Sequence, residues 1–226
     1  MSGTVKKRRY DASRRREAAE RTRAAVLRAA RDLFTSRGYA ATSVADIARA
    51  AGVSVDTLYA SVGRKPQLLL AVHDMELAEA DEPVDAEQRE YVRRIRAAPT
   101  AADKIAVYAD ALGRLLPRTV PLLDSLRVAG ETDPACREAY VAVRERRARN
   151  MRLFAADLRA TGELRDDLDD EAVADLVWSM NAPEYYLLVA SRGWTPQRYA
   201  AMLRDVWTRT LLRHPPRGPA VPAVRG

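Results

Sequence analysis

A chain of 226 residues makes one or two domains at the usual size of about 150 residues each. Its composition, 47% hydrophobic and 31% charged, excludes a disordered polymer and supplies enough apolar surface for a core. The single cysteine, Cys136, excludes an internal disulfide and a thiolate zinc site, and apolar runs such as Leu68–Val72 fall far below the roughly 18 residues of a membrane span.

The net charge of +7 is unevenly placed: residues 1–37 hold twelve Lys and Arg against four Asp and Glu, so the rest of the chain is close to neutral. One basic end on a neutral body is the electrostatic footprint of a module that meets a polyanion. No apolar signal-peptide core follows the basic N-terminus, so a reducing cytoplasm is the expected compartment. Ala, Leu and Arg dominate while runs of β-branched and aromatic residues are scarce, and the expected fold is all-α.

Residues 1–16 read as a basic arm, disordered or partly helical, carrying Lys6, Lys7, Arg8, Arg9, Arg14, Arg15 and Arg16. From about Glu17 to Ser36 the spacing of Val26, Ala30, Leu33 and Phe34 predicts an amphipathic helix, stopped at Gly38. Thr42 or Ser43 caps a short helix with Val44, Ile47 and Ala48 inward. Gly52 breaks it, and Ser54 opens another that reaches about Ser61. Short helix, glycine turn and short helix is the helix-turn-helix pattern, and Ala48 is small enough for a close crossing. Val53 and Leu58 then plug a three-helix core, which leaves Ser54, Val55, Asp56, Thr57 and Tyr59 near an exposed helix start. A helix presented this way suits the major groove.

Lys65-Pro66 opens a longer helix, residues 65–80, with Leu68, Leu69, Val72, Met75 and Leu77 as its apolar positions. Beyond Asp81-Glu82-Pro83 come amphipathic segments near 85–97, 101–115, 118–130, 134–162, 170–192 and 196–213. Pro99, Pro117, Pro134, Gly162 and Gly193–Pro196 mark the breaks. The proline-rich residues 214–226 read as a loose tail.

Thr42-Ser43-Val44-Ala45-Asp46-Ile47-Ala48-Arg49-Ala50-Ala51-Gly52-Val53-Ser54, then Thr57-Leu58-Tyr59, Lys65 and Leu68-Leu69, together with Ala29–Phe34 and Gly38-Tyr39, resemble the DNA-binding domain of TetR-type (tetracycline-repressor family) regulators over about residues 20–75. Val62 stands where that family usually has Phe or Tyr, and Pro66 replaces a common Glu. The resemblance implies an N-terminal three-helix helix-turn-helix domain (17–64), joined by the linking helix (65–80) to a C-terminal helical effector-binding and dimerisation domain (81–213). Carried over by position, Thr42, Tyr59 and Lys65 hold phosphates of a double-stranded operator, while Ser54, Val55, Asp56 and Thr57 face base edges. The alternative for each is an ordinary cap or surface residue. A homodimer on a palindromic site follows from the few base pairs one helix can read.

The last two helices are the candidate dimer contact, through Tyr185, Leu188, Tyr199, Leu203, Val206 and Trp207 in a four-helix bundle; the alternative is that they cover the monomer core. The middle helices would enclose a small-molecule effector, with Tyr108, Leu112, Leu126, Tyr140, Met151, Phe154 and Trp178 lining it. Arg147, Asn150 and Asn181, with Arg144, would supply polar contacts; plain core is the alternative for the apolar members. His73 and His214 are too few and too far apart for a triad or a metal cluster, and Asp166–Glu171 lacks the glycine of a calcium loop. Neither catalysis nor a cofactor is expected. A helical enzyme with an appended helix-turn-helix, or a binding protein that has lost DNA recognition, are the competing readings. Lys6–Arg9 and Arg14–Arg16 either enter a flanking minor groove, track the phosphates, or stay solvated. Deleting residues 1–16 is expected to weaken operator binding and flatten its salt slope; an unchanged slope removes the arm from the interface.

Overall fold

Ten α-helices and a short 3₁₀ turn make up the computed structural model, which describes residues 3–213, with side chains from residue 14 onward. They are α1 (Gly3–Arg37), α2 (Val44–Ala51), α3 (Val55–Ser61), α4 (Lys65–Ala78), the turn Ala86–Gln88, α5 (Glu90–Ala97), α6 (Ala101–Ala129), α7 (Pro134–Arg159), α8 (Asp170–Met180), α9 (Pro183–Ala190) and α10 (Pro196–Leu211). Among the described residues, no helix is long and apolar enough to cross a membrane. The tail expected over 214–226 and the side chains of Lys6, Lys7, Arg8 and Arg9 lie outside the described residues.

Three expectations are corrected. First, α1 begins at Gly3, not near Glu17. No proline or glycine interrupts residues 4–37, and Arg, Ala, Lys and Glu all favour helix. Second, α6 runs unbroken through Pro117. A helix-interior proline costs about 3 kcal/mol, and this one is flanked by buried Leu115, Leu116, Val120, Leu122 and Leu123, whose burial can offset that cost. Third, the segment 170–192 is two helices, because Pro183 pushes Ala182 out of the helical region to φ −66°, ψ 144°.

The chain divides into two compact units, Met1–Ala86 with Arg118–Val143, and Glu87–Pro117 with Arg144–Gly226. The long helices α6 and α7 are each shared between the two. In the first unit, Val26, Leu27, Ala30 and Phe34 of α1 meet Ile47 and Ala48 of α2, Leu58 of α3 and Leu68, Leu69, Val72 and Met75 of α4. Leu122, Leu123 and Leu126 of α6 and Cys136, Tyr140 and Val143 of α7 complete that core. Glu76 is a buried carboxylate in this unit. Its oxygens meet Arg31 of α1 at 2.8 Å and Arg118 of α6 at 3.5 Å, and Arg118 also holds Glu79 at 2.9 Å.

The second unit buries Ile105, Tyr108 and Leu112 of α6, Phe154 and Leu158 of α7, Val173 and Val177 of α8, and Tyr199, Leu203, Trp207 and Leu211 of α10. Here α6 and α10 cross at Gly113, where a Cβ would lie 3.0 Å from the Ala200 Cβ and 3.1 Å from the Pro196 carbonyl oxygen. An antiparallel bridge pairs Leu164 with Leu212, so the α7–α8 loop is tied to the end of α10.

Between α2 and α3 the chain turns at Gly52, which sits at φ 69°, ψ 30° and donates to the Arg49 carbonyl. A Cβ there would meet nothing within 4 Å, so Gly52→Ala carries a purely conformational penalty of roughly 1–2 kcal/mol. Thermal unfolding should show a lowered midpoint with the helical circular-dichroism signal retained; an unchanged midpoint contradicts the assigned turn.

Candidate nucleic-acid interface

The seven-residue α3 is too short to be stable in water by itself, so caps and core contacts must place it. Ser54, in extended backbone at φ −74°, ψ 158°, accepts from the Thr57 backbone N–H at 3.1 Å, and the two hydroxyls lie 2.8 Å apart. Leu58, fully buried, anchors the inner face. On the outer face Ser54, Asp56, Thr57, Tyr59 and Ala60 are exposed, while Val55 is half-buried against the core. The four residues expected to face bases therefore divide: Asp56 and Thr57 project, Ser54 spends its oxygen on the cap, and Val55 shows only a fraction of its side chain.

Helix α2 is set by a capping box. Ser43 accepts from the Asp46 N–H at 3.1 Å, and the Asp46 carboxylate accepts from the Ser43 N–H at 3.2 Å and its hydroxyl at 2.6 Å. These bonds hold the Asp46 carboxyl below its usual range. Between the two expected caps, Ser43 is therefore the one used.

Thr42 is not available to a phosphate. It is 1% exposed, and its hydroxyl lies 2.8 Å from the Gly38 carbonyl and 3.3 Å from that of Leu33. There it ties the loop before α2 back to the end of α1. Tyr59, at 46% exposure, is presented at an open groove with Gly63 and Arg64. Lys65 is half-buried with its Nζ 4.0 Å above the Tyr39 ring, and burial lowers its pKa. Tyr39 in turn lies 3.2 Å from the Cys136 sulfur, and burial pushes its phenol pKa up. Sequence reasoning missed Tyr39 as the platform under Lys65, because only the fold brings Gly38-Tyr39 beside the start of α4. Arg14, Arg15 and Arg16 are exposed on α1.

The expected effector-pocket residues fall into two groups. Leu126 and Tyr140 belong to the core of the first unit; a position in the second unit's cluster is ruled out by where α6 and α7 carry them. Tyr108, Met151, Phe154, Trp178, Asn181 and Arg147 do come together in the second unit. The Asn181 amide donates to the Tyr108 hydroxyl at 2.8 Å and lies 3.0 Å from the Met151 sulfur. Arg147 donates to the Asn181 side-chain oxygen and, at 3.0 Å, to the Trp178 carbonyl. Phe154 and Trp207 pack on Tyr108 at 4.9 Å and 5.8 Å between centroids. Leu112 is buried in the same unit, and Asn150 is half-buried on α7.

Of the expected dimer contacts, Tyr199, Leu203 and Trp207 are each 0% exposed in the single chain. They form its core and have no surface left for a partner, so that assignment is corrected. Leu188 is 65% exposed, while Tyr185 and Val206 are half-buried. Leu187, at 38%, extends the exposed apolar face of α9.

The family profile described as bacterial regulatory proteins, tetR family, matches residues 26–72. Over 159 residues the chain is 34% identical to the HTH-type transcriptional repressor Rv3405c of Mycobacterium tuberculosis, a match covering 67% of this chain and 83% of that protein. A transcriptional regulator from Saccharomonospora viridis in complex with choline shares the fold at TM-score 0.63 and 18% identity, covering 88% of this chain and 99% of that one. FadR from Bacillus subtilis in complex with stearoyl-CoA is similar at TM-score 0.61 and 15% identity, covering 81% and 96%. The chain belongs to the tetR family of bacterial regulatory proteins and is a DNA-binding transcriptional regulator of the helix-turn-helix type.

Proposed function

We propose that this regulator is a repressor that binds a palindromic double-stranded operator as a homodimer and is released by a small-molecule effector. The observation that carries the reading is the exposed first turn of α3, with Asp56 and Thr57 projecting from a helix whose other face is locked by Leu58. Asp56 has the chemistry to accept from a cytosine amino group and Val55 to touch a thymine methyl. Tyr59 and Lys65 flank that turn and would hold phosphates, Lys65 at the start of a helix whose free N–H groups also favour anions. The name of the Mycobacterium tuberculosis relative supports repression. The choline and stearoyl-CoA complexes of its structural neighbours support an effector site.

In this reading residues 17–64 bind DNA, 65–80 link, and the effector meets the cluster around Tyr108 and Asn181. Helix α6 carries Tyr108 and, further along, Arg118, which pairs with Glu76 and Glu79 on α4 and its C-terminal cap. One helix thus carries both a member of the effector cluster and the arginine that ion-pairs with the linking helix. Effector binding would favour a dimer whose recognition helices no longer fit the half-site spacing, a shift of population rather than a new contact with DNA.

A gel shift on the promoter region beside the gene tests the reading. Binding as a two-protomer complex is expected; failure to bind any DNA at low salt contradicts it. Lys65→Ala should weaken binding across sequences and lower the slope of log K against log salt by about 0.9 per protomer, about 1.8 for the dimer, whereas Asp56→Ala should relax preference at one base pair of each half-site. For the dimer, Leu188→Glu should yield monomers in analytical ultracentrifugation, and an intact dimer removes α9 from the interface.

A further inference from the structure

We infer that the effector is an acid, an apolar molecule with a carboxylate or comparable anionic head received by the donor cluster of Tyr108, Asn181, Arg147, Trp178 and Trp207. This rests on the reading of the second unit as the effector site and adds the chemical class.

The cluster is rich in donors and poor in acceptors. Two indole N–H groups, those of Trp178 and Trp207, are buried without a hydrogen-bond partner. An orphaned buried donor costs about 1–3 kcal/mol, and few are tolerated without a reason. Both belong to one connected group: the Trp207 ring stacks on Tyr108, Tyr108 accepts from Asn181, Asn181 accepts from Arg147, and the Arg147 guanidinium lies 5.6 Å from the centre of the Trp178 ring.

Met151 adds a further observation. The Tyr108 hydroxyl lies 3.5 Å from its sulfur, and the Asn181 amide 3.0 Å. A thioether is a weak acceptor, so the Tyr108 hydroxyl rests on a poor partner, which it shares with the Asn181 amide. Methionine is also unbranched and adaptable, hence the side chain best able to withdraw when an oxygen ligand enters. Among the described residues, the buried polar side chains of this unit are Arg89, Lys104 and Asn181, with no buried carboxylate. An anionic head would therefore meet donors and no buried carboxylate, and it would supply acceptors to the two indoles that lack them. A cationic head would compete with Arg147 for the Asn181 oxygen and the Trp178 carbonyl, and with Arg144 and Arg147 for the Trp178 ring face.

The test uses the full chain with ¹⁵N-labelled indoles and matched probes: benzoate and straight-chain carboxylates from butanoate to decanoate, each beside its alcohol and amine. Carboxylates are expected to shift the Trp178 and Trp207 indole N–H resonances downfield, with the two signals assigned by Trp178→Phe and Trp207→Phe. Asn181→Leu should weaken carboxylate binding about tenfold, the loss of one hydrogen bond to a charged group, while thermal unfolding checks that the variant folds. Alcohols or amines that bind as tightly as the acids, or carboxylates that leave both indole signals unmoved, overturn the inference. Operator release by an amine or alcohol alone would overturn it while leaving the effector reading standing. Absence of operator binding would instead fail the regulatory reading, with the indole shifts still deciding the chemistry of the cluster.

Discussion

A helix of seven residues has no independent existence in water, and everything assigned to α3 depends on the contacts that hold it. Leu58 supplies the apolar anchor and Ser54 the first-turn acceptor, while the left-handed turn at Gly52 sets the angle at which α3 leaves α2. A recognition surface of this kind has little backbone freedom to lose on binding, because its inner face is already fixed by the core. The same economy explains why Ser43 and Asp46 cap each other reciprocally: α2 is only eight residues long, and its donors would otherwise be left to solvent.

Glu76 has the corresponding role deeper in the same unit. A buried carboxylate is tolerated only with charged partners, and here Arg31 and Arg118 approach it from different helices. Desolvation opposes the charge on the Arg31 guanidinium, yet Glu76 and Asp81 outweigh it and raise its pKa. Removing one partner of such a pair leaves an uncompensated charge in the interior, which is far more damaging than the pair is stabilising. The pairing therefore defines the register of α4 against α1 and α6 more than it adds to stability.

Much of the DNA-binding end was legible in the sequence because its signals act over three or four residues. Ser43 with Asp46, Gly52, Ser54 with Thr57, and the apolar spacing through Leu58 and Leu68-Leu69 are each local. The rest needed packing. Pro117 and Pro183 look alike as helix breakers, yet α6 passes through the first while the second splits α8 from α9, although both lie among buried residues. Apolar periodicity located Tyr199, Leu203 and Trp207 correctly as buried positions but could not say whether their cover was the same chain or a second one. Thr42 was misread for a related reason: a hydroxyl beside a helix start looks free until the end of α1 folds back to claim it. Glu76 carried a signal that could have been used, a lone carboxylate among Leu68, Leu69, Val72 and Met75 on one helix. The orphaned indoles of Trp178 and Trp207 carried none.

The most direct test of α3 as the reading helix is a backbone amide chemical-shift titration of the full chain with its promoter fragment. The largest changes are expected on Ser54–Tyr59 and on Lys65, with α8–α10 affected little. Changes confined to α8–α10, or none at saturating DNA, would contradict the assignment.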